Sequence, residues 1–203
     1  MKKTASSPSP VKLFIGMISQ DVSLFKELKD KLQNIYGPSD MESPVCRWEN
    51  TDYYSKEMGK GLKRQFIFFQ ELISPALIPE IKLKTMELER KYLNEENPPL
   101  HPFSKNPPIP PLTKGGKGGF KGGRKINLDP GYLDSARIIL VSSKDFSHRI
   151  YLGKGIYGEV TLIYSGNNYQ VLPYTYPDFR TQKYWDIFKK ARELYKKINQ
   201  LKT

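Results

Sequence analysis

Residues 97–123 limit what this chain can fold into more than any other stretch. Asn97-Pro98-Pro99-Leu100-His101-Pro102-Phe103-Ser104-Lys105 is followed by the near-repeat Asn106-Pro107-Pro108-Ile109-Pro110-Pro111-Leu112-Thr113-Lys114, and then by a run of glycine and lysine to Gly123. Proline lacks the amide donor and glycine is costly to order, so no helix or central strand can cross this segment. It is expected to be an inserted, disordered surface loop with some polyproline character, a reading preferred over a functional proline-rich ligand. Together with a short disordered tail at residues 1–10, it divides the chain into one expected domain built from residues 11–96 plus 124–203.

With 203 residues the chain is long enough for a single sizeable core. The lone Cys46 excludes a disulfide framework and a cysteine-based zinc site, and two histidines, His101 and His148, argue against a histidine-rich metal site. A cytoplasmic location is the corresponding expectation. No apolar run approaches the roughly 18 residues of a membrane-spanning helix, and the first ten residues lack the apolar centre of a signal peptide. The formal charge of +12 invites a nucleic-acid reading, because basic surfaces recruit phosphates. However, four lysines lie in the insertion and two in the first ten residues, which leaves only about +6 on the remainder.

Outside the insertion, strand and helix patterns alternate. Val11 to Ile18 is apolar on both faces and reads as a buried strand. Asp21 to Tyr36 carries a helical apolar stripe closed by Gly37 and Pro38. Val45 to Tyr54 and Lys63 to Leu72 read as strands, and Pro79 to Leu93 as a helix opened by its proline. After the insertion come strands at Lys125 to Asp129 and Arg137 to Ser142, a hairpin over 146–164, a short strand at Gln170 to Pro173, and a helix over Thr181 to Leu201 with apolar residues at 3.6-residue spacing. The expected fold is α+β: a mostly antiparallel sheet with helices on one face, ferredoxin-like βαββαβ elements, and a C-terminal hairpin and helix. A parallel α/β sheet is the alternative.

Leu152-Gly153-Lys154-Gly155-Ile156-Tyr157-Gly158-Glu159-Val160 fits the glycine-rich loop of protein kinases. The lysine, H-R-D and D-F-G motifs that a kinase needs are missing from the residues that follow, so kinase is excluded. Two readings of the turn stay open, a structural hairpin and a phosphate-cradling loop. As a hairpin with a three-residue loop, it sets Leu152 opposite Ile156, Tyr151 opposite Tyr157 and Arg149 opposite Glu159. Phe146, His148, Ile150 and Leu152 then share one apolar side with Ile156, Gly158, Val160 and Leu162.

Six segments carry a family resemblance: 51–59, Leu62-Lys63-Arg64, 78–82, 127–133, 144–157, and Pro173-Tyr174-Thr175-Tyr176-Pro177-Asp178. They resemble a bacterial and archaeal family classed as a domain of unknown function, over essentially the whole chain except the tail and the insertion. Some members of that family carry the label GTP-binding protein, and the resemblance implies no demonstrated activity.

Those segments place polar groups beside glycine, proline and tyrosine, where loops on a rigid scaffold present binding groups. The candidate catalytic residues are His148, Asp129 and Asp52. The candidate ligand-binding residues are Gly153, Lys154, Gly155, Arg149 and Lys63, and Asp52 or Asp129 can hold Mg²⁺. Glu57, Asp134, Asp145, Asp178, Arg64 and Lys82 complete the charged set. Structural roles compete at each position. Asp129 can cap a turn before Pro-Gly, Asp178 can cap the last helix, Asp145 can start a strand, and His148 can be a buried core histidine. The expected function is binding of a phosphorylated small ligand, with a purine nucleotide in view. The alternative is a module that binds single-stranded RNA through a basic face and exposed tyrosines.

Overall fold

The computed structural model describes residues 7–48, 58–93 and 124–200. The chain is α+β. In order it forms β1 (Val11–Ser19), α1 (Ser23–Tyr36), β2 (Ser39–Glu42), β3 (Cys46–Arg47), β4 (Lys63–Ile73), α2 (Ile78–Arg90), β5 (Asn127–Leu133), β6 (Arg137–Ser142), β7 (Ile150–Gly153), β8 (Ile156–Ser165), β9 (Asn168–Val171) and α3 (Gln182–Gln200). Short 3₁₀ turns, Pro75–Leu77 and Pro177–Arg180, precede α2 and α3. The strands form one antiparallel sheet in the order β2-β4-β1-β5-β6-β8-β7, with β3 beside β4 and β9 beside β8.

The first half has the expected split arrangement. β4 lies between β1 and β2, β1 lies between β4 and β5, and both crossover helices pack on one face. The strand that completes it is β2 at Ser39–Glu42, not the expected Val45–Tyr54, of which only Cys46–Arg47 pairs among the described residues. Polar Ser-Asp-Met-Glu at a sheet edge carries little strand signal. Alternation along β1 sends Leu13, Ile15 and Met17 to α1 and α2, and Phe14 to the opposite face.

The C-terminal helix covers that opposite face. Phe188 of α3 meets Phe14 edge-on at 5.0 Å, and Tyr184 meets Phe66 at 5.2 Å. Such pairs add about 0.5–1.5 kcal/mol each beyond burial. α1 stops because Gly37 takes φ 85° and returns its N–H to the Gln33 carbonyl at 2.9 Å. Leu93 bridges Arg124, so the described residues on either side of 94–123 lie side by side. The expected insertion at 97–123 and residues 1–6 of the expected tail lie outside the described residues, and residues 7–10 of that tail are exposed and without regular structure.

The β7–β8 hairpin keeps the expected Tyr151–Tyr157 pairing, with ring centroids 5.4 Å apart, but closes differently. Gly153 pairs with Ile156 and Leu152 is the extra residue of a bulge, so the loop is the two residues Lys154 and Gly155, both at positive φ (55° and 74°). The expected apolar side also breaks up. Ile156 is buried, whereas Phe146 is 54% and Ile150 69% exposed. The reason is local: a turn links the Arg149 N–H to the Phe146 carbonyl at 2.9 Å, so strand alternation begins only at Ile150.

Candidate functional site

The sheet splits where β5 meets β6. Their ladder joins Leu133 to Ile138, Tyr132 to Ile139 and Gly131 to Leu140, and goes no further, although β5 continues back to Asn127 and β6 on to Ser142. The Asp134 N–H bonded to the Arg137 carbonyl at 3.1 Å sets the phase of the ladder. By alternation, Tyr132, Pro130 and Leu128 turn their main-chain groups toward β6, and Ile139 and Val141 turn theirs toward β5. The next exchange of bonds falls between Pro130 and Val141. Proline has no N–H to give, so the Val141 carbonyl loses its ladder partner and the strands part.

Helix α2 seals the β5 side of the split. Lys82 Nζ donates to the Leu128 carbonyl at 2.9 Å, and Glu89 Oε1 accepts the Leu128 N–H at 2.6 Å. These two side chains replace the missing strand rung. Both are buried, and burial pushes the Glu89 pKa up, with the charges of Lys82 and Arg124 opposing. Arg124 reaches the other Glu89 oxygen at 3.0 Å and the Asn127 side chain at 3.1 Å.

The split opens into a cavity of about 400 Å³. Arg64, Lys82, Arg124, Lys144 and Arg149 line it, against the carboxylates of Asp129, Glu159 and Asp178, with Trp48, Phe146, Tyr176 and Phe179 as aromatic wall. Arg64 is the hub. Its guanidinium bonds Asp178 and, at 2.9 Å, Asp129, and it passes over the Phe66 and Phe179 rings. Gly16 of β1 sits beneath this crossing: a β-carbon there would lie 3.1 Å from Phe66 and 3.6 Å from Arg64 Nε. Trp48 Nε1 donates to the same Asp178 oxygen at 3.2 Å. Burial works to raise the Asp129 pKa, but Lys82 and Arg64 outweigh it and hold the carboxyl below its ordinary value.

The second half of the wall comes from the segment before β7 and from β8. Glu159, with only 1% of its side chain exposed, accepts from Arg149 Nε at 2.8 Å, meets His148 Nε2 at 3.1 Å and holds Thr161 Oγ1 at 3.2 Å. Arg149 also donates to the Lys144 carbonyl at 2.9 Å and the Tyr176 hydroxyl at 2.7 Å. Burial lowers the Lys144 pKa, and the neighbouring Arg149 charge adds to the effect.

Among the sequence candidates, Asp129, Arg149, Arg64, Lys82 and Asp178 therefore converge on one cavity. Asp129 does not cap a turn; Asp129-Pro130-Gly131 runs mid-strand in β5. Asp178 does not cap α3; one of its oxygens holds Arg64 and Trp48, and the other takes the Phe179 N–H at 3.1 Å. Asp134 serves its own turn, accepting from the Ala136 and Arg137 amides at 2.8 and 2.9 Å. His148 is not a core histidine. It stacks on Tyr174 at 4.3 Å, beside the cavity lining rather than within it.

Lys63 falls on the opposite face of β4 from Arg64, with its charge near Asp21. Gly153, Lys154 and Gly155 form the hairpin turn, and Lys154 pairs with Glu80 at 2.6 Å, both about half exposed. None of these four lines the cavity. Asp52 and Glu57 lie outside the described residues. Among the described residues, no group of three or more His, Cys, Asp or Glu is placed to hold a metal ion. Sequence reasoning passed over Glu89, Arg124, Lys144, Trp48 and Glu159 as site residues.

A family model matches residues 9–100 and 116–195. The chain belongs to the family described as Domain of unknown function (DUF4416). No curated protein and no solved structure matches it. For DUF4416 the arrangement thus stands on its own chemistry: a gap in an antiparallel sheet, sealed on one side by a buried Lys-Glu pair and walled by more cations than carboxylates. No helix among the described residues is long and apolar enough to cross a membrane.

Proposed function

We propose that this DUF4416 chain is a cytoplasmic protein that binds a phosphorylated small ligand, with a purine nucleotide as the leading candidate, in the cavity between β5 and β6. The observation that carries the reading is the charge of the wall: five cations against three carboxylates around about 400 Å³, with aromatic side chains alongside. That volume falls within the range of small-molecule sites. Buried ion pairs are expensive to desolvate and contribute little net stability, so a cation-rich network around an open space is poorly explained as a fold-stabilising device. The crowding of Lys144 and Arg149 has the same sense, because an anion between them relieves the repulsion that helps depress the Lys144 pKa. The label GTP-binding protein on resembling family members puts GTP in the ligand panel.

Calorimetric titration with GTP, ATP and their monophosphates, with and without Mg²⁺, tests the proposal. Saturable binding weakened about tenfold by Lys144→Glu and unchanged by Lys154→Ala is the expected result. Binding lost with Lys154→Ala and kept with Lys144→Glu moves the site to the hairpin turn. A second reading, single-stranded RNA binding, draws on exposed Phe146 and Tyr151 and the His148–Tyr174 stack. It requires oligonucleotide affinity that falls steeply with salt, and no binding at low salt removes it.

A further inference from the structure

Resting on the cavity reading above, the inference concerns which part of a ligand the open edge of β6 can recognise. Pro130 leaves the Val141 carbonyl facing the split without the N–H that any other residue at 130 would supply. The next rung cannot repair the gap, because both main-chain groups of Leu128 are already taken by Lys82 and Glu89. A buried carbonyl aimed into a cavity is an acceptor seeking a donor. Phe146 stands at the same cavity, 54% exposed, with the Arg149 guanidinium 5.1 Å from its ring. A flat, electron-rich surface of this kind receives a planar ring.

We propose that the Val141 carbonyl is a specificity determinant that accepts a hydrogen bond from an N–H or amino group on a planar heterocycle. The ligand of this site is then a phosphorylated compound bearing a nitrogen base, not a plain sugar phosphate. The acceptor belongs to a strand held on its other edge by β8, so it is rigid and needs no reorganisation to bind. Pro130 is the residue that creates it.

The full chain is titrated by calorimetry with AMP, GMP, ribose 5-phosphate and purine riboside 5′-monophosphate, whose base has no N–H donor. At least one of AMP and GMP is expected to bind tenfold or more tighter than ribose 5-phosphate, and the donor-free purine to lose about tenfold against the tighter-binding of the two. Pro130→Ala restores an N–H opposite Val141. It is expected to lower nucleotide affinity about tenfold while leaving ribose 5-phosphate within twofold. Equal affinity for nucleotide and ribose 5-phosphate, no loss with the donor-free purine, or an unchanged nucleotide preference in folded Pro130→Ala overturns the inference while leaving the cavity reading intact. Failure of the wild-type chain to bind any of the four overturns both. Should Pro130→Ala not fold, the donor-free purine decides the matter on the wild-type chain alone.

Discussion

Replacing Glu89 tests how the split in the sheet is maintained. In Glu89→Leu the Leu128 N–H, now bonded at 2.6 Å, loses its acceptor inside the protein. An unsatisfied buried donor costs about 1–3 kcal/mol, and a hydrogen bond to a charged group is worth about 1.5–3 kcal/mol, so the two views of one loss agree. The pair with Arg124 adds little, since a quarter of the Arg124 side chain is exposed. The expected destabilisation is about 2–3 kcal/mol. Glu89→Gln keeps an acceptor oxygen for Leu128 and removes a charge that burial disfavours, so it costs at most about 0.5 kcal/mol. Urea unfolding followed by circular dichroism separates them: with a slope of about 2 kcal/mol per molar, Glu89→Leu moves the midpoint down by about 1–1.5 M and Glu89→Gln by at most about 0.25 M. Equal effects of the two, or a Glu89→Leu cost below about 0.5 kcal/mol, refute the idea that this carboxylate replaces a ladder bond.

Three further outcomes follow from the same structure. Deleting 97–123 joins Glu96 to Arg124 and leaves a three-residue connection between the bridged Leu93 and Arg124; the shorter loop raises stability by up to about 2 kcal/mol, read by urea unfolding, and a protein that no longer folds contradicts it. Gly131→Ala places a β-carbon 2.5 Å from Phe14 Cζ and closer still to the Ile139 carbonyl oxygen, so a loss of about 3 kcal/mol or more is expected, and a melting temperature within two degrees of wild type is the contrary result. Asp129 and Glu89 give opposite pH signatures. Asp129, held below 3.8, contributes stability that is complete above pH 3.8 and lost as pH falls through its folded-state value, so Asp129→Asn flattens the acid limb of the melting curve. Glu89, raised above 4.5 first by burial, contributes below pH 4.5 and loses that share as pH rises through its folded-state value, so Glu89→Gln removes the decline on that side.

Much of this fold is legible in the chain because its strongest elements are long and regular. β1, β4, β6 and the stripe of α3 are fixed by apolar pattern, and the Tyr151–Tyr157 pairing by the glycine-bracketed turn, although the loop is two residues rather than the expected three. What escapes is whatever depends on neighbours far along the sequence. β2 is a strand only because β4 offers an edge. Lys82 and Glu89 seven residues apart share a face of α2 with Ile78, Ile81, Thr85 and Leu88, an anomaly visible in the sequence, but its meaning needs the unpaired Leu128 opposite. Pro130 inside Asn-Leu-Asp-Pro-Gly-Tyr-Leu resembles a turn, and only the position of β1 makes it a strand residue. His148 illustrates the opposite error, since strand periodicity was extended through a turn that interrupts it.

The most direct test is two-dimensional NMR of the labelled full chain during titration with GMP and AMP. Binding in the split moves the amide resonances of Leu140–Lys144, Asn127–Asp129 and Arg149 together, with one saturating affinity. Shifts confined to Gly153–Gly155, or no shifts at millimolar nucleotide, contradict the assignment of the β5–β6 cavity as the ligand site.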